Sequence, residues 1–153
     1  MPARTRIGLI VGVVALVLNV CVSGFVGFCG PLLSLIAGAV AGFLTAQGEK
    51  AASKSDGARA GAVGGGIAGG LMIIGQVLGG ISTLAIAQFT GLKFPLGTIP
   101  SPAASPAAQM IYYLGGIGTS LCIGIVGAVL AALAGAAAGY VGTPDLSPVN
   151  MRT

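Results

Sequence analysis

The sequence predicts an all-α integral membrane four-helix bundle, built as two helical hairpins with both termini on the cytoplasmic side. Three observations carry this. Hydrophobic residues make up 55% of the chain and charged residues only 7%, against roughly 25% charge in soluble domains. So few charges could not cover the surface of a soluble fold, whereas a bilayer accepts such a composition as its solute. The apolar residues also fall into runs of spanning length, and the basic residues gather on one side of the membrane that those runs define.

Arg4 and Arg6 precede an uncharged stretch from Ile7 to Gly48. This is too long for one span and carries its own break at Cys29-Gly30-Pro31, glycine being favoured past a helix end and proline in a first turn. The break predicts a first helix over 7–28, about 33 Å long, a tight turn, and a second helix over 31–46, about 24 Å long. The basic-then-apolar start is also the pattern of a secretory signal peptide. The apolar run exceeds an ordinary signal core and no Ala-x-Ala-like site follows, so the first helix is expected to be retained.

Residues 47–59 hold Glu49, Lys50, Lys54, Asp56 and Arg59 among small residues and read as a cytoplasmic loop. A third, uncharged helix is expected over 60–89; at about 45 Å it outruns the hydrocarbon core and must tilt or project. Pro95, Pro100 and Pro102 mark an external loop over 90–105. Ser105 and Pro106 form an N-cap and first-turn pair for a fourth helix over 106–141. Gly142, Thr143 and Pro144 stop it and open a polar tail over 142–153. Tyr112 and Tyr113 near one end of that helix and Tyr140 near the other suit interfacial anchors.

Orientation follows from the cations. Of the 7 basic residues, all but Lys93 fall on the side of the N-terminus: Arg4, Arg6, Lys50, Lys54, Arg59 and Arg152. That bias places the termini in the cytoplasm and the chain in the cell membrane as a multi-pass protein. The same residues form no patch interleaved with aromatic side chains, which argues against a nucleic-acid partner.

Glycine supplies 28 of the 153 residues, and inside a bilayer it lets neighbouring helix backbones approach closely. Leading into and along the third helix, Gly57, Gly61, Gly65 and Gly69 recur at every fourth position, with Gly66 and Gly70 beside them and Gly75 and Gly79 following. Residues at that spacing share a helical face. The pattern predicts a close contact with another helix of the same bundle, or with a second copy or a partner subunit. Gly38-x-x-x-Gly42 and Gly135-x-x-x-Gly139 repeat the spacing in the second and fourth helices. Gly64-x-Gly66-x-x-Gly69 matches the dinucleotide fingerprint in letters only, since no strand precedes it and no acidic residue follows at the required distance.

The chemistry available is narrow. The predicted spans contain no Asp, Glu, Lys or Arg, and the chain has no His. That inventory excludes a proton relay built on buried ionisable groups, and it excludes His-based catalysis or metal ligation. No catalytic, cofactor or metal site is predicted. Cys21, Cys29 and Cys122 lack metal-binding spacing and are expected to act as small apolar residues. The intramembrane polar residues are Asn19 and Gln76, at similar depths (~18 and ~24 Å) from the inner ends of their helices, and Thr119 and Ser120. An amide hydrogen bond between Asn19 and Gln76 is one reading; a polar path lined by all four is the other.

The Cys-Gly-Pro turn at 29–31, the Gly38/Gly42 face and the charged loop entering Gly57-Ala-Arg-Ala-Gly-Ala-Val-Gly-Gly-Gly give the chain a resemblance. It resembles small glycine-rich four-helix membrane proteins of bacteria and archaea whose function is unknown. In helix number and glycine spacing it is also loosely similar to the four-helix subunits of mitochondrial inner-membrane translocases. Neither resemblance implies a functional residue. The expectation is a non-enzymatic structural or accessory subunit, without cofactor, working in the lipid bilayer through glycine-mediated packing as a homo-oligomer or against a larger membrane partner. An oligomeric pore or small-solute channel is the alternative.

Overall fold

The computed structural model describes residues 2–23, 30–91 and 105–144. They form four helices: α1 (Ala3–Ser23), α2 (Gly30–Gly48), α3 (Lys54–Thr90) and α4 (Pro106–Gly142). All four are long and apolar enough to cross a membrane. The fold is therefore all-helical and compatible with a multi-pass membrane protein. The expected turn at Cys29, the end of the first helix over 24–28, most of the loop over 90–105 and the tail beyond 144 lie outside the described residues.

Chain direction alternates through the bundle. A side chain added at Gly64 of α3 would meet Thr45 and Ala41 of α2, and one at Gly30 would meet Gln76, so α2 and α3 run antiparallel. The α3–α4 pairing is antiparallel as well, from Gly57 beside Gly139 at one end to Gly116 beside Leu84 near the other. Helix α1 runs parallel to α3, with Gly8 against Gly64 and Gly12 against Ala68, and α2 runs parallel to α4. Helix α3 touches all three others; among the described residues α1 does not reach α4.

Three boundaries differ from the sequence reading: α1 begins at Ala3 and not at Ile7, taking Arg4 and Arg6 into its first turn, and the other two flank the charged link. Helix α2 continues to Gly48 and α3 begins at Lys54, which reduces the expected loop over 47–59 to a short link. The reason is a capping box. Ser53 accepts a hydrogen bond from the Asp56 backbone N–H at 3.2 Å, and its hydroxyl donates to the Asp56 carboxylate at 2.6 Å. Ser53-x-x-Asp56 thereby satisfies one backbone N–H of the first turn and holds a negative charge beside it. At the end of α2, Ala51 N–H bonds Ala46 C=O at 3.2 Å and Lys50 N–H bonds Gln47 C=O at 3.2 Å. Lys50 takes the left-handed position of this cap (φ 47°) that glycine ordinarily fills.

Helices α3 and α4 have 37 residues each, about 55 Å, against about 30 Å for the 21 and 19 residues of α1 and α2. The shorter pair covers the half of α3–α4 that carries Lys54, Arg59 and Tyr140. The other half, from about Val77 to Thr90 and Pro106 to Leu121, holds Phe89, Met110, Ile111 and Leu114 on its exposed surface. The small buried core follows from the composition. Its apolar members are mostly alanines, with Met72 the largest side chain fully enclosed.

Candidate functional site

The closest packing lies where α2, α3 and α4 converge. Gly57 and Gly61 face Gly139 and Gly135, Gly65 faces Ala131 and Gly135, and Gly69 faces Ala128. A methyl group at Gly69 would lie 2.8 Å from the Ala128 Cα, and one at Gly57 would lie 2.6 Å from the Gly139 carbonyl oxygen. Such approaches are open only to glycine. Gly38 and Gly42 of α2 pack against the same stretch of α4, on the backbone of Ala131 and Gly135. Gly135 is thus wedged between two helices. A methyl on it would meet the Gly61 carbonyl oxygen, the Gly65 Cα at 3.0 Å and the Gly38 carbonyl oxygen at 3.1 Å.

The remaining glycines of the α3 pattern part company with this seam. Each four-residue step turns a helix face by about 40° beyond a full turn, so the contact with α4 winds around α3. Gly75, about five turns beyond Gly57, again points as Gly57 does, and α1 now occupies that direction: Leu16 and Asn19 are its neighbours. Gly79 is buried. Gly66 only grazes Ala132, and Gly70 has no heavy atom within 4 Å of an added Cβ. On α4, Gly115 and Gly118 are likewise open.

Sequence reasoning passed over three parts of this packing. Gly8-x-x-x-Gly12 carries α1 onto α3, and its spacing was legible. Gly64 forms a second glycine face of α3, toward α2. Gly124 and Gly127 seat Ile73 and Ser34; their spacing of three gave no such signal.

The polar residues of the spans do not line one surface. Asn19 Nδ2 donates to Gln76 Oε1 at 3.1 Å, linking α1 to α3 with both residues buried. Gln76 also lies against Gly30, at the start of α2. Asn19 Oδ1 is buried without a hydrogen-bond partner among the described residues. Ser120 lies against Gly80, nearer the far end of α3, while Thr119 is exposed and donates to its own Gly115 carbonyl at 2.9 Å. The buried hydroxyls Ser34 and Thr45 likewise bond carbonyls of their own helix, Gly30 at 2.9 Å and Ala41 at 2.6 Å, which frees them from needing another helix. Cys21 and Cys122 are free thiols on exposed helix faces, not buried apolar fillers; their spacing in sequence could not reveal which face they occupy.

The aromatic residues mark the two ends of α4. Tyr113 donates to Gln88 at 2.9 Å and packs edge-on to Tyr112, with ring centroids 5.4 Å apart. Tyr140, at the charged end, lies under the Lys54 ammonium, 5.3 Å from its ring centroid. Comparison with protein-family models, with curated proteins and with solved structures gives no match.

Proposed function

We propose that this chain is a non-enzymatic, multi-pass protein of the cell membrane that serves as a structural or accessory subunit. Both termini face the cytoplasm, and it assembles through small-residue helix faces with a second copy or a larger membrane protein. The observation that carries this reading is the division of labour among the glycines. Those of the seam are consumed inside the bundle, whereas Gly70 of α3 and Gly115 and Gly118 of α4 meet nothing within 4 Å. Glycine weakens a helix by about 0.5–1 kcal/mol relative to alanine. An open glycine face in a lipid-solvated helix is useful where another backbone approaches. Around Gly115 and Gly118 the exposed neighbours are Ile111, Leu114, Thr119 and Cys122, a small-residue notch in an apolar wall.

Cys122 provides the test, because it lies one turn from Gly118 and is exposed. Thiol crosslinking in native membranes, with Cys21 and Cys29 replaced by Ser, should give an adduct at twice the protomer mass or with a larger partner. The adduct should vanish in Cys122→Ser and be lost in Gly115→Leu/Gly118→Leu. A chain that stays uncrosslinked and monomeric contradicts the proposal. The pore reading ranks second: of the four polar residues named for it, Thr119 alone is exposed, so a path would have to form between copies.

A further inference from the structure

We propose that the charged end of the bundle binds the headgroups of anionic phospholipids through Arg6, Lys50 and Arg59. This rests on the membrane reading above and adds a lipid class to it. The described part of that end carries five basic residues, Arg4, Arg6, Lys50, Lys54 and Arg59, and two acidic ones, Glu49 and Asp56, an excess of three positive charges. The acidic groups are already engaged. Glu49 accepts from Arg4, whose Nε is 3.3 Å from its carboxylate, and Asp56 is held in the Ser53 capping box. Lys54 sits over the Tyr140 ring. Arg6, Lys50 and Arg59 are exposed, and none of them is in an ion pair among the described residues.

The three project from α1, from the α2–α3 link and from α3 at one end of the molecule, since Gly8 packs on Gly64 and Gly48 lies beside Ile7. Two of them stand beside surface depressions. Arg6 borders one with an apolar floor of Ala3, Ile7 and Ile10, and Lys50 borders another of mixed character, walled by Ala46, Gln47, Thr143 and Pro144. A cation over an apolar floor fits a phosphodiester joined to acyl chains; free phosphate would gain nothing from the floor. Lys50 also holds a left-handed backbone conformation suited to glycine, a local strain that places a charged side chain beside its depression.

The test is lipid retention by the full chain reconstituted in phosphatidylcholine vesicles with and without phosphatidylglycerol, read by native mass spectrometry after extraction in mild detergent. Each neutralised cation should lower the preference for phosphatidylglycerol about fivefold, and the triple variant Arg6→Gln/Lys50→Gln/Arg59→Gln by about 100-fold. Arg6→Lys/Lys50→Arg/Arg59→Lys should keep it, and raised salt should weaken it in the unmodified chain. These two readouts serve if the glutamine variant fails to fold. Equal retention of the two lipids by the unmodified chain, or a preference indifferent to salt, overturns the proposal while leaving the membrane reading intact. Failure of the chain to enter vesicles of either composition sinks both.

Discussion

Replacing Gly135 by alanine adds one methyl group at the point where three helices meet. The added carbon would press on the Gly61 carbonyl, the Gly65 Cα at 3.0 Å and the Gly38 carbonyl at 3.1 Å. All three are backbone atoms of two different helices, so no rotamer change can relieve the contact and the helices must move apart. Overpacking of this kind costs about 1–3 kcal/mol. Alanine also raises the intrinsic helix preference by about 0.5–1 kcal/mol, which would mask part of the loss. Gly70→Ala removes that ambiguity, because the same substitution at Gly70 meets nothing within 4 Å. The propensity gain is common to both, and their difference isolates the packing term. Reversible unfolding in mixed micelles with rising dodecyl sulfate, followed by far-ultraviolet circular dichroism at low protein concentration, should rank Gly70→Ala above Gly135→Ala by about 1–3 kcal/mol. A difference under ~0.5 kcal/mol, the ordinary scatter of surface substitutions, would refute the claim that the seam is closed to a side chain.

Other expectations follow from single contacts and are read by the same unfolding measurement. Ser53→Ala removes the cap of α3 and should cost about 1 kcal/mol, whereas Ser55→Ala, exposed at the second position of the helix, should not. Lys50→Gly relieves a left-handed lysine and should stabilise the fold by about 1 kcal/mol while weakening anionic-lipid preference. A double-mutant cycle over Asn19→Leu and Gln76→Leu should return a coupling of about 0.6 kcal/mol. Gln76→Leu should be the costlier single change, since it leaves both polar atoms of the buried Asn19 amide without partners.

Much of the helical layout was legible because apolar run length and proline position are strong local signals. The Ser105-Pro106 start of α4 is a case where two adjacent residues fix a boundary. The start of α3 was misread because the charges at Lys54, Asp56 and Arg59 suggested a solvated loop, while the Ser53-x-x-Asp56 cap among them marks a helix entry. The Gly57–Gly69 stripe announced a close contact but not its partner. Periodicity says that residues share a face, and only the course of α4 around α3 says why Gly75 turns to α1 instead. The depth-matched pair Asn19 and Gln76 was within reach of counting residues from the charged end. The outward direction of Thr119 was not, since a helix that is apolar on all sides gives no phase from which to read its inner face.

The central claim is that the chain works by packing against other helices. Its most direct test is the mass of the complex released from native membranes in mild detergent, measured by native mass spectrometry. A stoichiometric assembly heavier than the 14.7 kDa protomer is expected, either a multiple of it or a complex with a larger membrane protein. That assembly should be lost in Gly115→Leu/Gly118→Leu while the helical content and the unfolding midpoint of the protomer are not lowered. A protomer that leaves the membrane alone, or an assembly indifferent to those substitutions, would contradict it.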